Sequence, residues 1–160
     1  MKFLNGASWR AAGAPTATGW SELKAPSLAE IEKLAEEAMA RLPETFRDLA
    51  EGVIVRVDDF PSDEVMAELG AETEFDLLGL FTGVGMSQPD AGPRTGRLPN
   101  YVHLYRRPIL DYWAEHDETL GAIVTHVLVH EIGHHFGLSD AAMEAIEAEA
   151  VAAEGGADRP

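Results

Sequence analysis

No stretch restricts the fold of this chain as tightly as residues 118–140. There an apolar helical segment runs into His130-Glu131-Ile132-Gly133-His134-His135-Phe136-Gly137-Leu138-Ser139-Asp140, of the form H-E-x-x-H-x-x-G-x-x-D. Leu120, Ile123, Val124, Val127, Leu128, Val129 and Ile132 leave hardly any polar stripe, so the helix they form, expected over residues 118–136 with Asp117 as its cap, is buried. His130 and His134 are four residues apart and point within roughly 40° of each other at ~100° per residue. Two imidazoles so placed can hold one zinc ion, at about 2.0–2.1 Å each. Glu131, a quarter-turn round, stays near such an ion without ligating it, the place for a general base acting on a metal-bound water. Gly137 permits a left-handed turn that side chains resist. The chain can then double back and bring Asp140 to the metal from beyond the helix. Two His and one carboxylate leave a fourth tetrahedral position open, which separates a catalytic zinc from a structural one. The competing reading is a buried helix with two satisfied core histidines, and it leaves an unpaired Glu131 in an unfavourable place.

The motif is crowded with histidines. His126 precedes His130 by one turn, but three residues at successive turns span about 12 Å at ~1.5 Å rise per residue, too straight to wrap one ion. His135 points roughly 100° from His134 and is expected to pack or hydrogen-bond beside the site. Asp140 has a rival role as the cap of a last helix.

The matching text extends beyond this motif. Phe75-Asp76-Leu77-Leu78-Gly79-Leu80-Phe81-Thr82-Gly83, Val102-His103-Leu104-Tyr105-Arg106-Arg107-Pro108-Ile109 and Val127-Leu128-Val129-His130 occur in consistent order over residues 27–150. With the H-E-x-x-H-x-x-G-x-x-D signature of Asp-zincins, they make the chain resemble the small bacterial zincin-like metallopeptidases, or minimal zincins. The third-ligand position carries Asp140 where metzincins have His. A Met-turn is missing, because Met143 falls within an expected helix. The resemblance implies an α+β, zincin-like fold: a small mixed sheet of three or four strands with the buried metal-binding helix packed across it. It also implies one zinc ion per chain, ligated by His130, His134 and Asp140, and peptide-bond hydrolysis with Glu131 as general base. Substrate would add as a strand along residues 76–83, by backbone hydrogen bonding.

Composition narrows the partners. The chain has 160 residues, 12 basic and 28 acidic, for a net charge of −16. That length suits one domain. The charge disfavours nucleic acid and anionic membrane and favours peptide or protein substrates that are neutral or cationic, though an acidic surface also serves solubility alone. Without cysteine there is no disulfide or thiolate metal site. No apolar run approaches the ~18 residues of a membrane span, and the first residues lack the apolar core of a signal peptide, so the cytoplasm is the expected location. Oligomeric state is not legible.

In chain order, residues 1–26 show no period and are expected to form a mobile arm, with a single domain over residues 27–153 and a disordered tail at 154–160. Ser27 and Glu30 make a capping box for an amphipathic helix ending near Pro43. Residues 53–57 and 76–81 read as strands, with Gly79 hinting at a close backbone approach from another chain. Residues 62–69 read as a short helix closed by Gly70, and residues 83–99 as a long loop suited to a lid. Residues 101–105 are a third strand, followed by a helix from Pro108 to Trp113 and, after the metal helix, a last helix opened by Ser139 or Asp140. A second oxyanion donor is expected near the zinc, with Tyr101, His103 and Tyr105 as candidates, although core packing or sheet hydrogen bonding is the readier role for each taken singly. Two other functions fit the same text: a metal-binding or interaction module without proteolytic role, and a zinc hydrolase of non-peptide bonds.

Overall fold

Among the described residues, five other α-helices and three strands accompany the apolar helix. The structure, a computed structural model, describes residues 19–83 and 99–157. A 3-10 turn, Trp20–Glu22, precedes α1 (Leu28–Arg41) and α2 (Glu44–Leu49), and then β1 (Ile54–Asp58), α3 (Asp63–Leu69) and β2 (Gly79–Thr82) follow. The chain continues through β3 (Tyr101–Tyr105), α4 (Arg106–Glu115), α5 (Leu120–His135) and α6 (Asp140–Ala157). This is the expected α+β architecture, with three strands in the order β1-β3-β2. β1 runs parallel to β3, pairing Ile54 with Tyr101, and β2 runs antiparallel to it, pairing Gly79 with Leu104. The sheet is therefore mixed, and among the described residues β2 has β3 as its only partner.

Local chemistry explains the elements. The capping box of α1 is complete: Ser27 Oγ accepts the Glu30 N–H at 3.2 Å and Glu30 accepts the Ser27 N–H at 2.6 Å. Those hydrogen bonds hold the Glu30 carboxyl below its ordinary value. Ile31, Ala35, Ala38 and Leu42 then form a buried stripe against α5. Val102 and Leu104 of β3 are fully buried on the α5 face of the sheet. Met143 and Ala150 of α6 close the core from the other side.

Several boundaries differ from expectation. The metal helix starts at Leu120, because the Thr119 hydroxyl, not Asp117, accepts the Ala122 N–H, at 3.2 Å. The second strand starts at Gly79, because the Asp76 carboxylate is committed to a turn. It accepts the N–H groups of Glu72 and Thr73, both at 2.9 Å, and the Thr73 hydroxyl at 2.7 Å. That turn holds the Asp76 carboxyl below its usual range. α4 begins at Arg106, two residues before Pro108, with the Arg107 N–H bonded to the Asp59 carbonyl at 3.1 Å. α6 runs through Gly155 and Gly156 to Ala157; glycine weakens a helix by ~1 kcal/mol per residue but does not forbid a last turn. The expected arm is described only from residue 19, and Arg106 donates to the Pro26 carbonyl, tying this end to the start of α4. The rest of the arm, residues 84–98 of the expected lid loop and residues 158–160 lie outside the described residues. No helix among the described residues is long and apolar enough to cross a membrane.

Candidate metal centre

The end of α5 is built by two local devices. Gly137 has φ +78°, its N–H meets the His134 carbonyl at 3.1 Å, and the Leu138 N–H reaches back to the Gly133 carbonyl at 2.9 Å. This is the Schellman pattern that stops a helix and turns the chain. Ser139 caps the next helix, accepting the Ala142 N–H at 3.2 Å. Asp140 is thus the first residue of α6 rather than its cap, and its exposed carboxylate is spent on no cap.

Beneath the motif sits a methionine after all. Met143 is fully buried, and a Cβ on Gly133 would come 2.6 Å from its Sδ and 3.0 Å from its Cγ. The glycine inside H-E-x-x-H thereby lets α6 dock its Met143 under the site, which supplies a floor without a Met-turn.

Glu131 is half-buried where α5 meets the edge strand. A Cβ on Gly79 would lie 3.4 Å from Glu131 Cγ and 2.6 Å from Val127 Cγ1, so the strand backbone rests on this helix face: the close approach at Gly79 comes from α5 of the same chain, not from another chain. Burial raises the Glu131 carboxyl above its ordinary value, partly offset by a hydrogen bond from the Phe81 backbone and by His134. His135 stacks on Phe81 with ring centroids 3.8 Å apart, packing beside the site as expected.

His130 and His134 follow one another on the same face, with ring centroids 5.6 Å apart and planes at 61°. His130 is half-buried and His134 exposed. Burial and the neighbouring His126 lower the His130 pKa, against the Glu147 and Asp140 carboxylates, whose charges reach the ring. The His130 Nε2 is buried without a hydrogen-bond partner, a lone imidazole nitrogen of the kind a metal satisfies. The donor set of two imidazoles and a carboxylate suits zinc.

Among the described residues, however, the group whose ligand atoms gather within 4.8 Å of one another is His126, His130 and Glu147, not His130, His134 and Asp140. Glu147 escaped the reading of the sequence. Its signal is a charge inside an apolar stripe: it lies four residues after Met143 and three before Ala150, on the face that α6 turns to α5.

The oxyanion candidates are placed less favourably. Tyr101 and His103 pair with Thr82 and Leu80, and alternate with Val102 and Leu104. They therefore project from the sheet face turned away from α5, where His103 Nε2 meets Thr82 Oγ1 at 3.2 Å. Tyr105 joins His103 around a cavity of about 340 Å³ there. Burial, then the Asp58 and Glu131 charges, push its hydroxyl pKa up.

A family model described as zincin-like metallopeptidase matches residues 50–150. Comparison with curated proteins finds no match. Among solved structures, a conserved hypothetical protein from Thermo thermophilus is similar, at 21% identity and a TM-score of 0.44, over 68% of this chain and 92% of that one.

Proposed function

This chain belongs to the zincin-like metallopeptidase family, and on that premise we propose that it is a zinc-dependent peptidase with Glu131 as its general base. The observation that carries the reading is the position of Glu131, a half-buried carboxylate with a raised pKa on a H-E-x-x-H helix, held against an edge strand. His130, His134 and Asp140 are the ligands in this reading. A zinc ion held there supplies Lewis acidity, polarising the scissile carbonyl and acidifying the attacking water.

The chain's own groups do the rest. Glu131 accepts a proton from the attacking water and delivers it to the leaving amine. Its burial brings a carboxyl closer to the range where a base both takes and returns a proton near neutrality. The Phe81 backbone fixes the carboxylate beside β2. The edge of β2, unpaired among the described residues, offers N–H and C=O groups to an extended substrate backbone, which aligns a peptide across the end of α5. The charge of −16 favours neutral or cationic peptides over anionic ones. A chain with no cysteine needs no oxidising compartment to fold, and we take the cytoplasm as its place of action.

The test is hydrolysis of a quenched peptide library by zinc-loaded protein and by Glu131→Gln. Turnover that disappears in the variant, with metal content kept, supports the reading. Metal binding with no turnover by either protein would instead make the chain a metal-binding or interaction module. Turnover of esters or non-peptide amides alone would move it to another class of hydrolase.

A further inference from the structure

We propose that His126, His130 and Glu147 form a second position for a divalent cation of the zinc or cobalt type, one turn up α5 from the H-E-x-x-H centre and sharing His130 with it. His126 Nδ1 lies 3.1 Å from both carboxylate oxygens of Glu147, and His130 Nε2 lies 3.1 Å from Glu147 Oε1. The His126 and His130 rings approach to 4.0 Å between centroids. All three ligand atoms fall within 4.8 Å of one another.

The contact between His130 Nε2 and Glu147 Oε1 is informative because it is close yet unaligned. Both atoms are buried, and neither forms a hydrogen bond. Leaving a buried acceptor unsatisfied costs ~1–3 kcal/mol. Atoms that converge without donating to each other are arranged as ligands around a common point. A neutral imidazole pair with one carboxylate is a donor set for zinc or cobalt rather than for magnesium or calcium. The cluster also has an opening. A cavity of about 110 Å³ between α1, α5 and α6 is lined by Ala38, Arg41, Thr125, His126 and Glu147, with room for water to complete the coordination. Arg41 on its wall donates to the Glu37 carbonyl at 3.1 Å.

A neutral imidazole has one lone pair for a metal, so His130 serves one ion at a time. Occupation of this second position withdraws His130 from the proposed catalytic centre, and the two positions exclude each other. The catalytic reading enters only through this exclusivity. The geometry of the second cluster stands without it.

The test titrates full-length protein with Co²⁺, following calorimetric stoichiometry and the visible absorption of the bound ion. His134→Ala/Asp140→Ala removes exposed side chains and leaves the second cluster whole. It should still bind about one Co²⁺ per chain through the second set alone. Adding His126→Gln or Glu147→Gln should weaken that binding by at least about a hundredfold, beyond the 10–100-fold typical of an outer-shell partner. Gln preserves the size of Glu147, and circular dichroism checks that the fold is kept. No binding by His134→Ala/Asp140→Ala, or binding that survives loss of His126 and Glu147, overturns the proposal. Peptide hydrolysis and its dependence on Glu131 are read separately in the unaltered chain, so either idea can fail without the other.

Discussion

Gly79→Ala tests how tightly the edge strand is seated on the metal helix. The new Cβ would lie 2.6 Å from Val127 Cγ1, 2.9 Å from the His103 carbonyl oxygen and 3.4 Å from Glu131 Cγ. The first contact can relax by moving a side chain. The second is with β3 backbone, which can move only with the sheet. Overpacking of this kind costs ~1–3 kcal/mol, and the backbone contact places it in the upper half. Loss of glycine's freedom in the unfolded chain returns ~0.4–1 kcal/mol. The net expectation is destabilisation by about 1–2.5 kcal/mol, a fall in Tm of roughly 2–10 °C for a domain of this size. Thermal unfolding by circular dichroism measures it. Val127→Ala removes the nearer obstacle, so the double variant should be less destabilised than the sum of the singles, by ~0.5–1.5 kcal/mol. Peptide turnover should fall with Gly79→Ala as well, because the Phe81 backbone that holds Glu131 moves with the strand. A Tm at or above the parent value, with additive behaviour in the cycle, would refute the seating inferred for β2.

Other consequences follow from single elements. Gly137 holds φ +78° in open space, so Gly137→Ala should cost about 1–2 kcal/mol from backbone strain alone, read by chemical denaturation. Asp76 has a folded pKa below its unfolded value, so the stability it contributes is present above about pH 4 and is lost as pH falls through the folded value. The stability gap between Asp76→Asn and the parent should accordingly close on acidification, seen in denaturation curves at stepped pH; a gap that widens would contradict the sign. Amide exchange at residues 79–82 should slow when a peptide-like inhibitor binds, and unchanged exchange there would place the cleft away from β2.

What was legible in the sequence was what short-range chemistry decides. Ser27 with Glu30 and Gly137 after the motif each state a local constraint, and each acts as read, whereas Gly79 announces a close approach without saying that it comes from α5 of the same chain. Where two local solutions compete, the residues alone do not choose. Asp117 and Thr119 are both fit caps, and Asp76 serves a turn as readily as a strand. The candidate site divides along the same line. His130, His134 and Glu131 share one helix, so their relative directions follow from its period. Glu147 reaches His130 only because α6 docks through Met143 onto Gly133, a tertiary event whose one trace in the chain is a charge at helical spacing from Met143 and Ala150. The direction of the aromatic side chains of β3 was open for a related reason: alternation separates two faces but does not say which one meets the metal helix.

The most direct measurement is a paired one on unaltered protein and Glu131→Gln: metal content after zinc loading, with the rate of peptide-library hydrolysis. The proposed mechanism predicts about one zinc per chain in both proteins, with turnover in the first and none in the second, because an amide cannot accept the proton from water. Equal turnover in the two proteins would show that Glu131 is not the base, and the central claim would fail.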